Sequence, residues 1–240
     1  MRIALGQINP TVGDLAGNVD LMVRFAREAA AAGAQLVIFP ELSVCGYPPR
    51  DLVEKPSFLK STQRELSRLA RETAEFHIDM ICGFARRSNS PTGKTAANCA
   101  AYLSGGEIRF TQQKMLLPTY DVFDESRNFA PGERQTVFPA FGRQLAITIC
   151  EDVWNDKQFW PRQLYSRDPV EELKAAGADF LINISSSPYH IHKRCLRRDM
   201  LAAIAQRHRL PVVLVNQVGG NDQLLFDGTS MSRRRRRLCM

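Results

Sequence analysis

The stretch QLAITICEDVWND, residues 144–156, decides the fold and contains the first candidate for a reacting group. Residues 145–149 are all apolar or β-branched and include no glycine or proline, a pattern that predicts a buried β-strand. Cys150 follows at the end of that strand, and the carboxylates Glu151 and Asp152 come next. Open α/β sheets place reacting groups at the carboxyl ends of their strands, where the next backbone N–H can hold an oxyanion. Cys150 is therefore a candidate nucleophile, although a strand cysteine is more often a small buried hydrophobic residue.

The length and composition predict one α/β domain with a single large core. Of the 240 residues, 44% are hydrophobic, which excludes a disordered chain, and the apolar runs are too short to span a membrane. The first ten residues, MRIALGQINP, make a poor signal peptide and a good first strand. The cysteines at 45, 82, 99, 150, 195 and 239 form no CxxC pair, which predicts a reducing, cytoplasmic environment.

The formal net charge of +7 depends mainly on the last ten residues, MSRRRRRLCM, which hold five arginines and no acid. Without those five charges the remaining 230 residues carry only +2, so no nucleic-acid partner is predicted for the body of the chain. The arginine run could bind RNA or phosphates. We interpret it instead as an altered or truncated C-terminus: the predicted domain covers residues 1–230, and residues 231–240 form an aberrant arginine-rich tail.

Predicted strands and helices alternate along the chain, with hairpins between them. Asn18 and Ser57 are predicted to cap the first two helices. Strands are predicted at 2–8, 35–39, 77–84, 136–138, 144–149, 179–184 and 210–215, with a hairpin over 98–112 and a further strand at 224–226. Because hairpins interrupt the alternation, two sheets flanked by helices are favoured over one doubly wound sheet.

Three residues with complementary chemistry lie just past predicted strand ends: Glu41, Lys114 and Cys150. A buried carboxylate can take the thiol proton, and a nearby ammonium lowers the thiol pKa and stabilises an oxyanion. Each residue also has an ordinary interpretation, as a solvated loop acid, an exposed loop cation and a core-filling cysteine. Spacing alone leaves both interpretations open.

A metal site is not predicted. His190, His192 and Cys195 are close in sequence, but the two histidines would point to opposite sides of an extended segment, and no fourth ligand is evident.

Three sequence blocks carry a resemblance to a known family. FPELSVCGY at 39–47, KMLLP at 114–118 and ICED at 149–152 resemble, in this order, the three signature blocks of the nitrilase (carbon–nitrogen hydrolase) family. The resemblance covers residues 1 to about 230 and implies a single-domain α-β-β-α sandwich. It also implies a Glu–Lys–Cys triad of Glu41, Lys114 and Cys150, with Glu125 as an additional active-site carboxylate.

A narrower resemblance points to a subfamily. GYPPRDL at 46–52, LPTYDVFDESRNF at 117–129 and CEDVW at 150–154 are similar to the glutaminase domains of glutamine-dependent NAD synthetases. This likeness implies that L-glutamine is bound by Tyr47, Tyr120, Phe123, Glu151 and a serine of NISSSP, residues 183–188. Ser185 is the first choice and Ser187 the second, because the repeated serines leave the register open.

The subfamily resemblance implies release of ammonia from glutamine through a cysteine thioester. The ammonia would amidate deamido-NAD in a synthetase domain that this sequence does not contain. ATP and deamido-NAD would belong to that domain, so no cofactor is expected here, and a homo-oligomer is implied. Two alternatives stay open: a stand-alone amidase with another amide substrate, and an inactive truncated fragment.

Overall fold

The computed structural model describes residues 1–88, 90 and 93–233. The first sheet has the spatial order β1-β2-β3-β4-β5. Its strands are β1 (Ile3–Leu5), β2 (Leu36–Ile38), β3 (Asp79–Arg87), β4 (Ala96–Ser104) and β5 (Glu107–Gln113). Strands β1 to β3 are parallel, and β4 and β5 continue as antiparallel neighbours. Two reversals bring β5 back to the direction of β2, so both strands end at the same edge.

The second sheet repeats this mixed pattern. Its members in chain order are β6 (Val137–Ala140), β7 (Arg143–Ile149), β8 (Phe180–Ser185) and β9 (Val212–Asn216), followed after a separate hairpin by β12 (Met231–Arg233). The hairpin consists of β10 (Val218–Asn221) and β11 (Leu224–Asp227). Strands β7, β8 and β9 are parallel, and β6 and β12 are antiparallel edges. The carboxyl ends of the three parallel strands therefore share one edge.

Helices cover the outer face of each sheet. α1 (Leu15–Ala31) and α2 (Pro56–Thr73) pack on the first sheet, and α4 (Pro169–Ala175) and α5 (Lys193–Arg207) pack on the second. The one-turn helix α3 (Glu125–Asn128) and short 3₁₀ turns at 50–54, 74–76 and 150–153 complete the elements. The layers are helix, sheet, sheet, helix, so the predicted α-β-β-α sandwich is confirmed.

Alternating side chains along the strands separate the inner and outer cores. Ile38 of β2 and Ile147 of β7 point between the sheets, whereas their neighbours Val37 and Ala146 point toward the helices. All four are at most 1% exposed. Each strand thus buries both of its faces, which explains why QLVIF and QLAITI read as continuous apolar runs.

Two helix starts differ from the predicted ones. Asp14, not Asn18, caps α1 by accepting the backbone N–H of Gly17 at 3.0 Å. Asn18 is buried in the first turn, where its amide donates to the backbone oxygens of Thr11 and Val44. α2 begins at Pro56 after Lys55, one residue before Ser57, because proline at the first helical position has no N–H that needs a cap. In both cases the cap was predicted at the polar residue nearest to the apolar run, and the helix begins earlier in the chain.

The described fold continues past the predicted boundary at residue 230. Met231–Arg233 forms β12, which pairs antiparallel with β9, and Met231 packs against the core beneath α4 and α5. Strand β10, which contains two glycines, was also not predicted. The rest of the arginine-rich tail, residues 234–240, lies outside the described residues.

Candidate active site

The site is built from residues that follow strand ends in both sheets. Glu41 comes shortly after β2 and Lys114 directly after β5, at one edge of the first sheet. Cys150 and Ser186 directly follow β7 and β8 of the second sheet. The backbone N–H of Ser186 donates to Glu41 Oε2 at 2.9 Å, so the two edges meet.

Lys114 lies between two carboxylates. Its Nζ is 2.7 Å from Glu41 Oε1 and 2.7 Å from Glu125 Oε2, and the three side chains are at most 6% exposed. Tyr47 donates its hydroxyl to Glu125 Oε1 at 2.8 Å. Burial lowers the pKa of Lys114, but Glu125 and Glu41 together raise it well above its ordinary value. Lys114 is therefore a permanent ammonium in this cluster.

Glu41 is held in one orientation by groups on both sheets. Oε1 accepts a hydrogen bond from Asn98 Nδ2 at 2.8 Å as well as from Lys114, and Oε2 accepts the Ser186 N–H. The Ser186 hydroxyl donates to the Glu41 backbone oxygen at 3.1 Å. Charge-assisted bonds of this kind hold a buried carboxylate in one orientation. Sequence reasoning did not identify Asn98 or Ser186, because neither follows a recognisable pattern.

Cys150 occupies a tight turn between β7 and the 3₁₀ turn that follows. Its φ of 43° lies in the left-handed region, which is unusual for a side chain other than glycine and is concentrated at functional sites. Burial raises the pKa of the thiol well above its ordinary value, Glu41 raises it further, and Lys114 lowers it. The resting residue is a protonated thiol, so it needs a base before it can act as a nucleophile.

Glu125 is a second proton-carrying group. Burial raises its pKa to about 7, Lys114 opposes the rise and Glu41 adds to it. Repulsion from the Glu41 carboxylate thus adds to the burial that favours a proton on Glu125 near neutral pH. We call Glu41, Lys114, Glu125 and Cys150 the inner wall of the site.

Aromatic and charged side chains form a second group beside Cys150. Tyr120 donates its hydroxyl to Glu151 Oε1 at 2.8 Å, and Tyr165 donates to the same oxygen at 3.1 Å. The rings of Tyr120 and Phe123 pack edge to face, with centroids 5.8 Å apart. Burial raises the pKa of Glu151, and the Tyr120 hydrogen bond opposes that rise. The predicted residues Tyr120, Phe123 and Glu151 therefore lie together.

Lys193 is a cation in this group that sequence reasoning missed. Its Nζ lies 5.7 Å from the ring centroid of Phe123 and 5.6 Å from that of Trp154. Burial lowers the pKa of Lys193, and the negative charge of Glu151 opposes that change. Lys193 begins α5, shortly after the serine-rich loop. This position in the chain was the one feature of the sequence that could have identified Lys193 as a site residue. Tyr120, Phe123, Glu151, Tyr165 and Lys193 are called the outer wall.

The serine-rich loop is buried, and its three serines have different contacts. The Ser185 hydroxyl donates to Asn183 Oδ1 at 2.7 Å, and the Ser187 N–H donates to Asn216 Oδ1 at 2.8 Å. Ser186, which was not a candidate, is the serine bonded to Glu41. Glutamine binding by Ser185, Ser187 or Tyr47 stays a prediction.

Residues 1–88, 90 and 93–233 contain neither a metal-binding cluster nor a membrane-spanning helix. No group of three or more His, Cys, Asp and Glu side chains in this part of the chain is placed to hold a metal ion. No helix there is long and apolar enough to cross a membrane.

Curated relatives align with nearly the whole chain but extend well beyond it. Glutamine-dependent NAD(+) synthetase of Synechocystis sp. is 40% identical over 233 residues, which cover 96% of this chain and 42% of the relative. The protein of the same name from Thermotoga maritima is 37% identical, with 38% of its length covered. This chain therefore spans about two fifths of these relatives.

Solved structures show the same fold. Glutamine-dependent NAD+ synthetase from Acinetobacter baumannii, in complex with ADP, superposes with a TM-score of 0.83 and 34% identity, over 97% of this chain and 41% of that one. An amidase from Nesterenkonia sp. gives a TM-score of 0.80 and 25% identity, over 98% of this chain and 82% of that one. A mutant of that amidase carries the acetamide moiety of fluoroacetamide covalently at its active-site cysteine.

The family model for carbon–nitrogen hydrolases matches residues 2–233, which includes β12 and every residue of both walls. The match, the sandwich fold and the glutamate–lysine–cysteine cluster agree, and this chain belongs to the carbon–nitrogen hydrolase family.

Proposed function

We propose that this domain is the glutaminase part of a glutamine-dependent NAD synthetase, with Cys150 as nucleophile. The observation that carries the proposal is the fully buried Lys114, hydrogen-bonded to Glu41 and Glu125 beside a strained, protonated Cys150. Such a cluster supplies a base, an electrophile and a nucleophile in one place.

The first half-reaction forms a thioester. Glu41 removes the Cys150 proton, and the thiolate adds to the side-chain amide carbon of glutamine. Lys114 and the Glu151 backbone N–H stabilise the oxyanion of the tetrahedral intermediate. The carbon–nitrogen bond then breaks as Glu41 returns its proton to the nitrogen, which leaves as ammonia.

The second half-reaction regenerates the thiol. Glu41 takes a proton from water, and the resulting hydroxide adds to the thioester carbon. Collapse breaks the carbon–sulfur bond, releases glutamate and returns the proton to sulfur. Water and glutamine are consumed, and glutamate and ammonia are formed. Glu125, through its bonds to Lys114, keeps the ammonium aimed at the reacting carbonyl.

The outer wall supplies charges that suit an amino-acid substrate. Glutamine carries an α-ammonium and an α-carboxylate, and Glu151 and Lys193 offer one partner of opposite sign to each. The two tyrosine hydroxyls on Glu151 Oε1 orient that carboxylate. A simple aliphatic amide would leave both charges without a partner at a cost in binding. The geometry thus favours glutamine.

The wider role is argued from the relatives. The ammonia would amidate deamido-NAD in a synthetase domain that also binds ATP, and assembly into a homo-oligomer is part of the same proposal. A second candidate function is a stand-alone amidase, because the amidase from Nesterenkonia sp. has the same fold over 98% of this chain. The amidase would need no partner domain.

A substrate comparison separates the two functions. The purified protein is assayed for ammonia release from L-glutamine, acetamide and propionamide. The proposal expects kcat/KM for glutamine to exceed that for either simple amide by about a hundredfold or more, the scale of two charged contacts. An equal or reversed preference would refute the glutaminase assignment and favour the amidase.

A further inference from the structure

Asp152 is a buried carboxylate with three backbone partners, and the mechanism above does not use it. It is 1% exposed and lies in the turn that begins with Cys150. Oδ1 accepts the N–H groups of Met115 at 3.0 Å and Leu116 at 2.9 Å, and Oδ2 accepts the N–H of Ile149 at 3.0 Å. Both oxygens are therefore engaged.

These three donors belong to two segments that meet at the site. Met115 directly follows Lys114, and Ile149 directly precedes Cys150. The two segments leave β5 and β7, which belong to different sheets, so the ladder hydrogen bonds of a sheet do not connect them. The Asp152 side chain thus connects Met115, the residue after Lys114, to Ile149, the residue before Cys150.

We infer that Asp152 is a positioning residue that holds the Lys114 ammonium in register with Cys150. The inference rests on the proposed function and adds a residue to it. We call this arrangement a clamp, because Asp152 has to bind both segments at once. A contact with only one of them would not fix the distance between the Lys114 ammonium and the Cys150 sulfur. The clamp also supports the left-handed conformation of Cys150, which persists only where the surroundings over-determine it.

The chemistry of a carboxylate suits this role. Burial raises the pKa of Asp152 to about 7, and the backbone N–H groups of Leu116 and Ile149 oppose the rise. An asparagine has one acceptor oxygen and one NH₂ donor. With asparagine at position 152, the NH₂ group would face either the N–H groups of the segment after Lys114 or the N–H at the end of β7. Those N–H groups would then meet a donor instead of an acceptor. Asp152→Asn should therefore release one side of the clamp with little change in volume.

A matched control exists elsewhere in the fold. Asp168 is also buried, at 4% exposure, and its Oδ1 accepts the N–H groups of Val170 and Glu171, both at 3.1 Å. It caps α4 and touches neither wall. Asp168→Asn is the same chemical change at a local cap, where asparagine is an equally good acceptor.

The test reads the state of the Cys150 thiol without substrate. In a Cys195→Ala, Cys239→Ala background, the rate of alkylation of Cys150 by iodoacetamide is measured against pH for the parent, Asp152→Asn and Asp168→Asn. Displacing Lys114 removes a charge that lowers the thiol pKa, so Asp152→Asn should shift the profile upward by about one pH unit. Asp168→Asn should keep the parent profile.

Steady-state glutamine hydrolysis gives the second readout. Asp152→Asn should lower kcat by about tenfold or more, the scale of misplacing one oxyanion donor, while KM changes by less than about threefold because the outer wall is intact. If Asp152→Asn does not fold, Asp152→Glu is measured instead. It keeps the charge but lengthens the clamp, and should show the same upward shift.

The outcomes separate the two claims. A parent-like alkylation profile and kcat in a folded Asp152 variant would overturn the positioning role, and so would an equal shift in Asp168→Asn. A parent that hydrolyses no glutamine, but whose alkylation profile shifts in Asp152→Asn, would refute the proposed function and leave the clamp standing.

Discussion

The inner and outer walls of the site differ in how the chain builds them. The inner wall is fully buried, comes largely from strand ends, and is cross-linked by hydrogen bonds between the two sheets. Apart from Glu151, which directly follows Cys150 in the same turn, the outer wall comes from loops and a helix start, and its Tyr120 is 41% exposed. This difference suggests a division of labour in which the inner wall performs the chemistry and the outer wall selects the substrate.

The largest effect should follow from changes in the inner wall. Cys150→Ala removes the nucleophile and should abolish ammonia release, while Glu41→Gln and Lys114→Met should each lower kcat by about two orders of magnitude or more. The loss of kcat in the Glu41→Gln, Lys114→Met double variant should be far smaller than the two single losses combined, because the residues act as one unit. The measurement is steady-state ammonia release from glutamine.

Cys45→Ala is the matched control for these variants. Cys45 is another buried cysteine, burial raises the pKa of its thiol to about 12, and it belongs to neither wall of the site. This control should keep kcat close to that of the parent. Full activity in Cys150→Ala would contradict the assignment of the nucleophile.

A charge change in the outer wall should affect binding more than turnover. Lys193→Met keeps the length of the side chain but removes the proposed partner of the substrate carboxylate, so KM for glutamine should rise about tenfold or more. Turnover of acetamide, which has no carboxylate, should change by less than about twofold on the same argument. Lys157→Met, at an exposed ion pair with Glu171, serves as control. A large loss of kcat with acetamide would break the proposed division between the walls.

A single hydrogen bond in the outer wall should matter least. Tyr165→Phe removes one of two hydroxyls on Glu151 Oε1, and Tyr120 still holds that oxygen. We expect kcat/KM for glutamine to fall by about three- to tenfold, the usual value of one hydrogen bond. Tyr120→Phe, which removes the shorter bond, should cost at least as much. No change in either variant would show that Glu151 needs no orientation.

The pH dependence of the thermal stability tests the protonation of Glu125 in the inner wall. The pKa of Glu125 is about 7 in the folded protein, above its ordinary value, so the folded state binds the proton more tightly than the unfolded state. This contribution to stability is fully present below the ordinary pKa and is lost as pH rises through about 7. Thermal melting should therefore give a higher Tm at pH 6 than at pH 8.

Removing the titrating group should flatten that profile. Glu125→Gln is neutral at both pH values, so the difference in Tm between pH 6 and pH 8 should shrink relative to the parent. Glu107→Gln, on an exposed hairpin end, should leave the difference unchanged. A parent that melts at a higher temperature at pH 8 would give the opposite sign to the one predicted.

The sequence predicted the inner wall better than the outer wall for a physical reason. Glu41, Lys114 and Cys150 follow predicted strands, and strand ends converge at sheet edges, so position in the chain already indicates position in space. The sandwich was predicted from the hairpins that interrupt the alternation of strands and helices, together with the family resemblance. Ser186, Asn98 and Lys193 escaped prediction because their roles depend on contacts between segments far apart in sequence. The Asp14 cap of α1 and the start of α2 at Pro56 were missed because several residues that suit a helix start lie within one turn of each other.

Direct detection of the acyl-enzyme tests the central claim, that Cys150 forms a thioester with the side-chain acyl group of glutamine. Because the proposed mechanism uses Glu41 in both half-reactions, a Glu41→Gln variant would not be expected to accumulate the adduct, and the parent is used. It is mixed with glutamine, quenched in acid within the first turnovers, digested and examined by mass spectrometry. The account predicts a labile adduct with the mass of one γ-glutamyl group on the peptide that contains Cys150, and none in Cys150→Ala. Ammonia release without any such adduct, or with the adduct on another residue, would contradict it.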